Sequence, residues 1–255
     1  MLKHFNKFFE ISHALIRLPL RFARRIASRS SGGWLLRTEP FSREFGLDRG
    51  TAIDRRFIES FLQANNGVIC GSLLEIGGDH YIRKYGTEID RSVVLNGTSS
   101  FNNTESYIGD LTNIEGLKNI GQFDCIIATN VLNFIFDFDR AVQGLTNLVH
   151  PLTGTVLVTV AGCVPISRFD YDRWGDYWRF SDMSIKMIFE KYFDRVEVET
   201  FGNAPLAAAF VMGLSQQEVP SALFAIQDPD FQILIGVRAA VPKAHCSTSP
   251  SLNAI

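Results

Sequence analysis

Cysteine is sparse in this chain of 255 residues: Cys70, Cys125, Cys163 and Cys246 lie far apart, and none falls in a Cys-x-x-Cys or Cys/His ligand spacing. A disulfide scaffold and a zinc site of ordinary spacing are therefore not expected, and a reducing intracellular compartment is. Histidine is equally scarce, with five residues in no paired spacing. Asp170 and Asp172 stand two apart with no histidine nearby, too little for a magnesium or manganese site, so no metal is expected. Charge of one sign is also missing: 25 basic and 27 acidic residues leave a net charge of −2, which gives no general affinity for nucleic acid. No apolar run approaches the roughly 20 residues of a membrane helix. The first 30 residues lack the uninterrupted apolar stretch and cleavage signal of a secretory leader. The expected location is the cytoplasm.

What the chain does have is apolar mass, 46% of its residues with 21 phenylalanines, enough for one full domain with additions. Residues 1–33 read as a separate extension and linker. Lys3, Lys7, Arg17, Arg21, Arg24, Arg25 and Arg29 face only Glu10, interleaved with Phe5, Phe8, Phe9, Ile16 and Phe22. A basic amphipathic stretch of this kind either packs on its own domain, interrupted at Pro19, or lies on an anionic membrane surface or a protein partner. Residues 34–240 form the expected domain, and 241–255, serine-rich and without apolar periodicity, the expected flexible tail.

Within the domain, Ile53, Phe57, Ile58, Phe61 and Leu62 recur at helical spacing. Residues 71–76 are a short apolar segment ending at Gly77-Gly78, as a strand buried on both faces would read. Further strands are expected at 92–95, up to Ile108, at 124–129, 155–160, 195–200 and 231–237, with helices over 137–149, from Ser181 onward, and over 203–214. Strands alternating with amphipathic helices predict a mostly parallel sheet with helices on both faces and right-handed crossovers.

Several short motifs stand in a fixed order on this frame. They are Arg49-Gly50-Thr51-Ala52-Ile53-Asp54-Arg55, Leu74-Glu75-Ile76-Gly77, Tyr81 with Tyr85-Gly86, Gly109-Asp110-Leu111-Thr112, Phe123-Asp124-Cys125-Ile126-Ile127, Gly175-Asp176-Tyr177-Trp178-Arg179-Phe180 and Gly202-Asn203. Read together, over roughly residues 48–238, they resemble class I S-adenosylmethionine-dependent methyltransferases, and more narrowly a bacterial branch of methyltransferase-like proteins associated with glycan or capsule gene sets. The resemblance implies a Rossmann-like α/β fold of seven strands, the last antiparallel, with S-adenosylmethionine over the carboxyl ends of strands one to four. It implies cofactor contacts from Glu75, Ile76 and Gly77 in the first loop, from Asn96 and Thr98 after strand two, from Asp110 and Leu111 near the adenine, and from Thr129 and Asn130 after strand four. The wider class carries Gly-x-Gly-x-Gly in the first loop and an acid after strand two. Here the segments read Glu75-Ile76-Gly77-Gly78-Asp79 and Leu95-Asn96-Gly97-Thr98, and a neutral side chain cannot make the charge-assisted pair to both ribose hydroxyls.

The segment from Arg168 to Phe180 is the expected catalytic loop. Asp176 would be a base or acceptor orienter, Tyr177 its hydrogen-bonding partner, and Arg179 a clamp for an anionic group. Trp174 and Trp178 would stack on a sugar or close the pocket. The alternative is structural, with Arg179 paired to Asp176 or Glu75 and the aromatics packing the loop to the sheet. Arg49, Asp54 and Arg55 are read either as a lid over the cofactor edge or as an ion network at a helix start. The expected function is methyl transfer to a small polar acceptor, such as a sugar hydroxyl. The alternative is a catalytically silent methyltransferase-like binding or scaffold protein.

Overall fold

A strand covered on both faces is mostly apolar, because alternate side chains meet different helix layers. In the computed structural model, which describes residues 37–97 and 104–242, β4 (Cys125–Thr129) and β5 (Thr155–Ala161) are such strands but for their threonines, and β1 (Cys70–Ile76) is buried over Leu73, Leu74 and the carboxylate Glu75. Leu73, Cys125, Ile127 and Leu157 point into one core cluster, and Leu74, Ile126, Ala128, Val156, Val158 and Val160 into the other. The expected amino-terminal extension, Thr98 and the tail beyond 242 lie outside the described residues.

The remaining strands are β2 (Thr87–Asn96), β3 (Glu105–Ile108), β6 (Phe193–Phe201) and β7 (Leu234–Pro242). They complete one seven-stranded sheet in the order β3-β2-β1-β4-β5-β7-β6. All neighbours pair in parallel except β7, which runs antiparallel to both β5 and β6. Two strands differ most from the sequence expectation. β2 starts five residues before 92, because Thr87, Glu88, Ile89 and Asp90 are exposed and carry no apolar signature, and its register against β1 shifts at Gly71. β7 lies three residues later than 231–237, since Phe231 closes a turn onto Asp228 instead of pairing. It therefore runs two residues past the boundary expected at 240.

One face carries α1 (Ile53–Ala64), the short α2 (His80–Tyr85) and, later in the chain, the helix Ala204–Val211. The first of these buries Ile53, Phe57, Ile58, Phe61 and Leu62, the stripe visible in its spacing. The other face carries α4 (Phe138–Leu148), which follows the one-turn α3 (Ile114–Leu117), and α6 (Asp182–Tyr192), which follows the one-turn α5 (Arg168–Tyr171). Asp137 caps α4 by accepting from the Arg140 amide, and Ser181 and Ser184 cap α6 reciprocally. Asn203 caps the Ala204–Val211 helix, which is α7.

A strap before α1 is tied to the segment that follows the Ala204–Val211 helix. Arg49, only 2% exposed, is held by Glu218 through two hydrogen bonds, Nε to Oε2 at 2.9 Å and Nη2 to Oε1 at 2.5 Å. Glu218 also accepts from the Ser215 amide and hydroxyl, and Ala52 bridges to Ser215. Burial alone would raise the Glu218 carboxyl, but Arg49 and Ser215 hold it below its ordinary value. Of the two roles open for Arg49, the ion network is the one found.

Candidate functional site

The carboxyl ends of β1, β2, β4 and β5 meet at one edge, and hydrogen bonds between loops fix how they meet. Gly77 has φ +90, a conformation costly for side-chain-bearing residues, and a Cβ added there would find no atom within 4 Å. Its amide donates to the Leu95 carbonyl at 2.8 Å, and the Asn96 side-chain amide donates to the Gly77 carbonyl at 3.3 Å. Asn96 in turn accepts from the Gly109 amide at 3.0 Å. The ends of β1, β2 and β3 are thereby laced into one rim around an open left-handed turn.

Glu75, 4% exposed, does not face that opening directly. Its carboxylate accepts from the Tyr81 amide at 3.0 Å and the Ile82 amide at 2.8 Å, in the first turn of α2. Burial dominates and pushes its pKa up to about 7, although both amides favour the charged form and the nearby Asp79 carboxylate adds to the rise. Ile76, half-buried, packs against the core on the α4 side. Asp110 is exposed and caps its own turn, accepting from the Thr112 amide at 2.8 Å. Leu111 is a core residue at 3% exposure. A Cβ at Gly144 on α4 would collide with its carbonyl, so that glycine permits the close approach. Arg140 of the same helix donates to the Thr112 carbonyl at 2.7 Å.

On the β4 side, Thr129 is half-buried and pairs in register with Thr159. Asn130 sits at φ +52, an uncommon conformation that asparagine tolerates better than most residues. Its amide donates to the Thr159 carbonyl at 2.8 Å, and its side-chain Nδ2 to Asp54 Oδ2 at 3.3 Å. The other oxygen, Asp54 Oδ1, is buried with no hydrogen-bond partner. Burial raises the Asp54 carboxyl above its ordinary value, against the pull of Arg55 and Asn130. Arg55 donates to the Tyr81 hydroxyl at 2.9 Å. The start of α1 thus touches both the β4 end and α2, as a lid would. Sequence reading missed Thr159 and Asn133: nothing distinguishes a threonine inside an apolar strand, or an asparagine after one, as a site residue. Asn133, 3% exposed, also keeps an unpaired Oδ1.

The loop over 162–180 is built differently. Arg179 uses all five of its N–H groups within the loop. Nε donates to the Val164 carbonyl, Nη1 to Asp176 Oδ1 and the Trp178 carbonyl, and Nη2 to Asp176 Oδ2 and the Pro165 carbonyl. Asp176 Oδ2 also accepts from the Ser167 amide at 2.9 Å. Burial would raise the Asp176 carboxyl, but Arg179 and Ser167 hold it below its ordinary value. Tyr177 is 48% exposed, its ring 5.4 Å from that of Phe136, and its amide and that of Trp178 both donate to the Asn133 carbonyl. Trp178 packs against Phe136 and Phe138 and donates to the Phe136 carbonyl at 3.1 Å. Among the described residues no three His, Cys, Asp or Glu side chains converge as a metal cluster.

No protein-family model matches the chain, and no curated protein matches it in sequence. Solved structures do match. A methyltransferase from Thermotoga maritima, described as S-adenosylmethionine-dependent, is 16% identical over 73% of this chain and 90% of its own, with a TM-score of 0.50. The N-methyltransferase NodS from Bradyrhizobium japonicum, solved with S-adenosylhomocysteine, is 15% identical over 83% of this chain and 93% of its own, with a TM-score of 0.47. The fold is class I methyltransferase-like, with β7 inserted antiparallel between β5 and β6.

Proposed function

We propose that the protein is an S-adenosylmethionine-dependent methyltransferase acting on a small polar acceptor. The observation that carries this is the strand-end rim: an open left-handed Gly77 at the end of β1, laced to Asn96 and Gly109, in a sheet of the methyltransferase order. The switch between β1 and β4 is where an open α/β sheet takes its ligand. The residues fit the cofactor. Gly77 lets its backbone approach, and Asn96 and the exposed Asp110 flank the nucleoside side. Thr129, Asn130 and Asp54 line the side toward the acceptor, where the unpaired Asp54 oxygen can take a hydrogen bond from an amine or hydroxyl.

The cofactor, when bound, supplies an electrophilic methyl group on a sulfonium. The protein's part is alignment, water exclusion and acceptance of the proton that an alcohol or ammonium acceptor loses. Asp54 is the carboxylate for that proton, since one of its oxygens is unpaired and its pKa is raised. Asp176 and Arg179 position the loop that closes the site, because their hydrogen-bonding groups are already taken up within it. A sugar hydroxyl as the acceptor rests on the resemblance to glycan-associated proteins.

Calorimetric titration with S-adenosylmethionine and S-adenosylhomocysteine tests the reading. Micromolar binding, weakened at least about tenfold by Gly77→Ala, is expected, since even one methyl group would stand where the ligand backs onto the chain. Absence of binding at millimolar ligand in folded protein favours the silent scaffold, a reading supported by the neutral Asn96 at the end of β2.

A further inference from the structure

Two polar atoms near the carboxyl end of β4 limit what chemistry can meet them. Asp54 Oδ1 and Asn133 Oδ1 are both buried and both without a hydrogen-bond partner, and Asn133 as a whole is only 3% exposed. Their neighbours are already engaged. Asn130 accepts from the Thr159 hydroxyl at 3.4 Å through Oδ1 and donates to Asp54 Oδ2 at 3.3 Å through Nδ2, which holds its amide in one orientation. Asn133 follows three residues later, in the turn Leu132–Phe134. Its carbonyl takes the amides of Tyr177 and Trp178, so its backbone is fixed between β4 and the 162–180 loop.

The cations around this strand end are spent on other partners. Arg179 uses all five N–H groups within its loop, Arg49 is held by Glu218, and Arg55 donates to the Tyr81 hydroxyl. An anionic acceptor would meet the Asp54 carboxylate with these guanidiniums engaged elsewhere. Two bare acceptor oxygens call for donors, and the number of donors decides between the neutral and the cationic choice. A hydroxyl carries one proton and satisfies one oxygen. A primary ammonium carries three N–H groups, enough for both, and brings the positive charge that a buried carboxylate needs.

We propose that the group held at Asp54 and Asn133 is a primary ammonium, so that the acceptor is an amine and the product an N-methyl amine. This narrows the methyltransferase reading and rests on it. A sugar bearing an amino group satisfies the requirement, and one bearing hydroxyls alone does not. In the transfer the nitrogen gives one proton to Asp54 and a lone pair to the methyl carbon. The electron pair of the broken carbon–sulfur bond stays on sulfur, and the N-methylated product keeps the positive charge. Burial raises the Asp54 carboxyl above its ordinary value, which makes it a better proton acceptor than an exposed aspartate.

Methylammonium chloride serves as the probe, added to the full chain with labelled aspartate carboxyl carbons, the Asp54 resonance being assigned through its connectivity to the Arg55 amide. At neutral pH methylammonium should shift that resonance saturably, whereas methanol or potassium chloride at the same concentration should not. Asn133→Leu, which keeps the carbonyl used by Tyr177 and Trp178, should weaken the response about tenfold, the usual worth of one hydrogen bond to a charged group. The comparison of probes needs only the parent protein, and so survives a variant that fails to fold. A shift produced equally by methanol or potassium chloride overturns the proposal, as does no shift with methylammonium, or a response that folded Asn133→Leu leaves unchanged. Calorimetry with S-adenosylhomocysteine on the same samples separates the two readings. Cofactor binding without an ammonium response removes the amine and leaves methyl transfer standing. An ammonium response without cofactor binding removes methyl transfer and leaves only the ammonium site.

Discussion

The strand-end rim and the 162–180 loop lie next to each other, joined through the Asn133 carbonyl, yet they use their polar groups in opposite ways. In the loop, the Asp176 carboxylate and every Arg179 donor are bonded within the loop itself. At the rim, Asp54 and Asn133 each keep a buried oxygen without a partner, Glu75 is held at an elevated pKa, and Gly77 opens onto unfilled space. Saturated groups hold a shape. Unsaturated ones carry a cost that a stable fold would have removed unless something else uses them, which is why they mark the candidate site.

The largest effect should come from breaking the saturated side. Arg179→Ala leaves Asp176 buried without its cation and the Val164 and Pro165 carbonyls without a donor. Thermal or urea unfolding should show a loss of about 3 kcal/mol, as when one partner of a buried pair is removed. A loss under about 1 kcal/mol would mean the loop is not held as described.

The pH dependence should separate the two regions next. The Glu75 carboxyl rises from an ordinary 4.5 to about 7 in the folded protein. Below about 4.5 it is protonated in both states. Between about 4.5 and 7 the folded state binds more protons, so stability falls with rising pH, by about 3 kcal/mol in all, and is flat above that window. Asp54, also raised, acts in the same sense from its own lower ordinary value upward. Asp176 acts oppositely: its carboxyl is depressed, so its stabilisation is present above the ordinary aspartate value and is lost only as pH falls through the folded one. Urea titrations across this range should therefore show a declining limb that Glu75→Gln shrinks and Asp176→Asn leaves alone.

How much of this could be read from the chain depends on what each residue does locally. The apolar runs of β1, β4 and β5 and the helical stripe of Ile53, Phe57, Ile58, Phe61 and Leu62 report their own burial, so sheet and helices were legible. The exposed start of β2 was not, because a strand held by pairing alone has no apolar pattern. Gly77 and Asn96 were named through the resemblance, and the structure brings them together at the strand-end rim. Arg179 and Asp176 were legible as a pair, but their mutual saturation depends on carbonyls at 164 and 165, and Asp54 gains meaning only when folding brings Asn130 to it.

Gly77→Ala should cost about 1–2 kcal/mol, the strain of a left-handed non-glycine residue. No steric cost is added, because the new methyl meets no atom. Chemical denaturation checks this, and a larger loss would show the space to be filled. The smallest stability effect is expected from Asp54→Asn, within about 1 kcal/mol of the parent, since it trades a buried unpaired carboxylate oxygen for a buried amide. Methyl transfer should nevertheless fall by about 10²-fold or more, the usual contribution of a positioned base. Asp176→Asn provides the contrast: its loss in unfolding free energy should exceed that of Asp54→Asn, with a smaller loss of turnover.

A crystal structure with S-adenosylhomocysteine is the most direct test of the contrast between the two regions. The ligand is expected over Gly77, between Asn96 and Asn130, with no displacement of the Asp176–Arg179 pair. Ligand held instead by that pair, or in the 230 Å³ cleft lined by Arg56, Phe57, Phe201 and Phe224 on the α1 face, would contradict it.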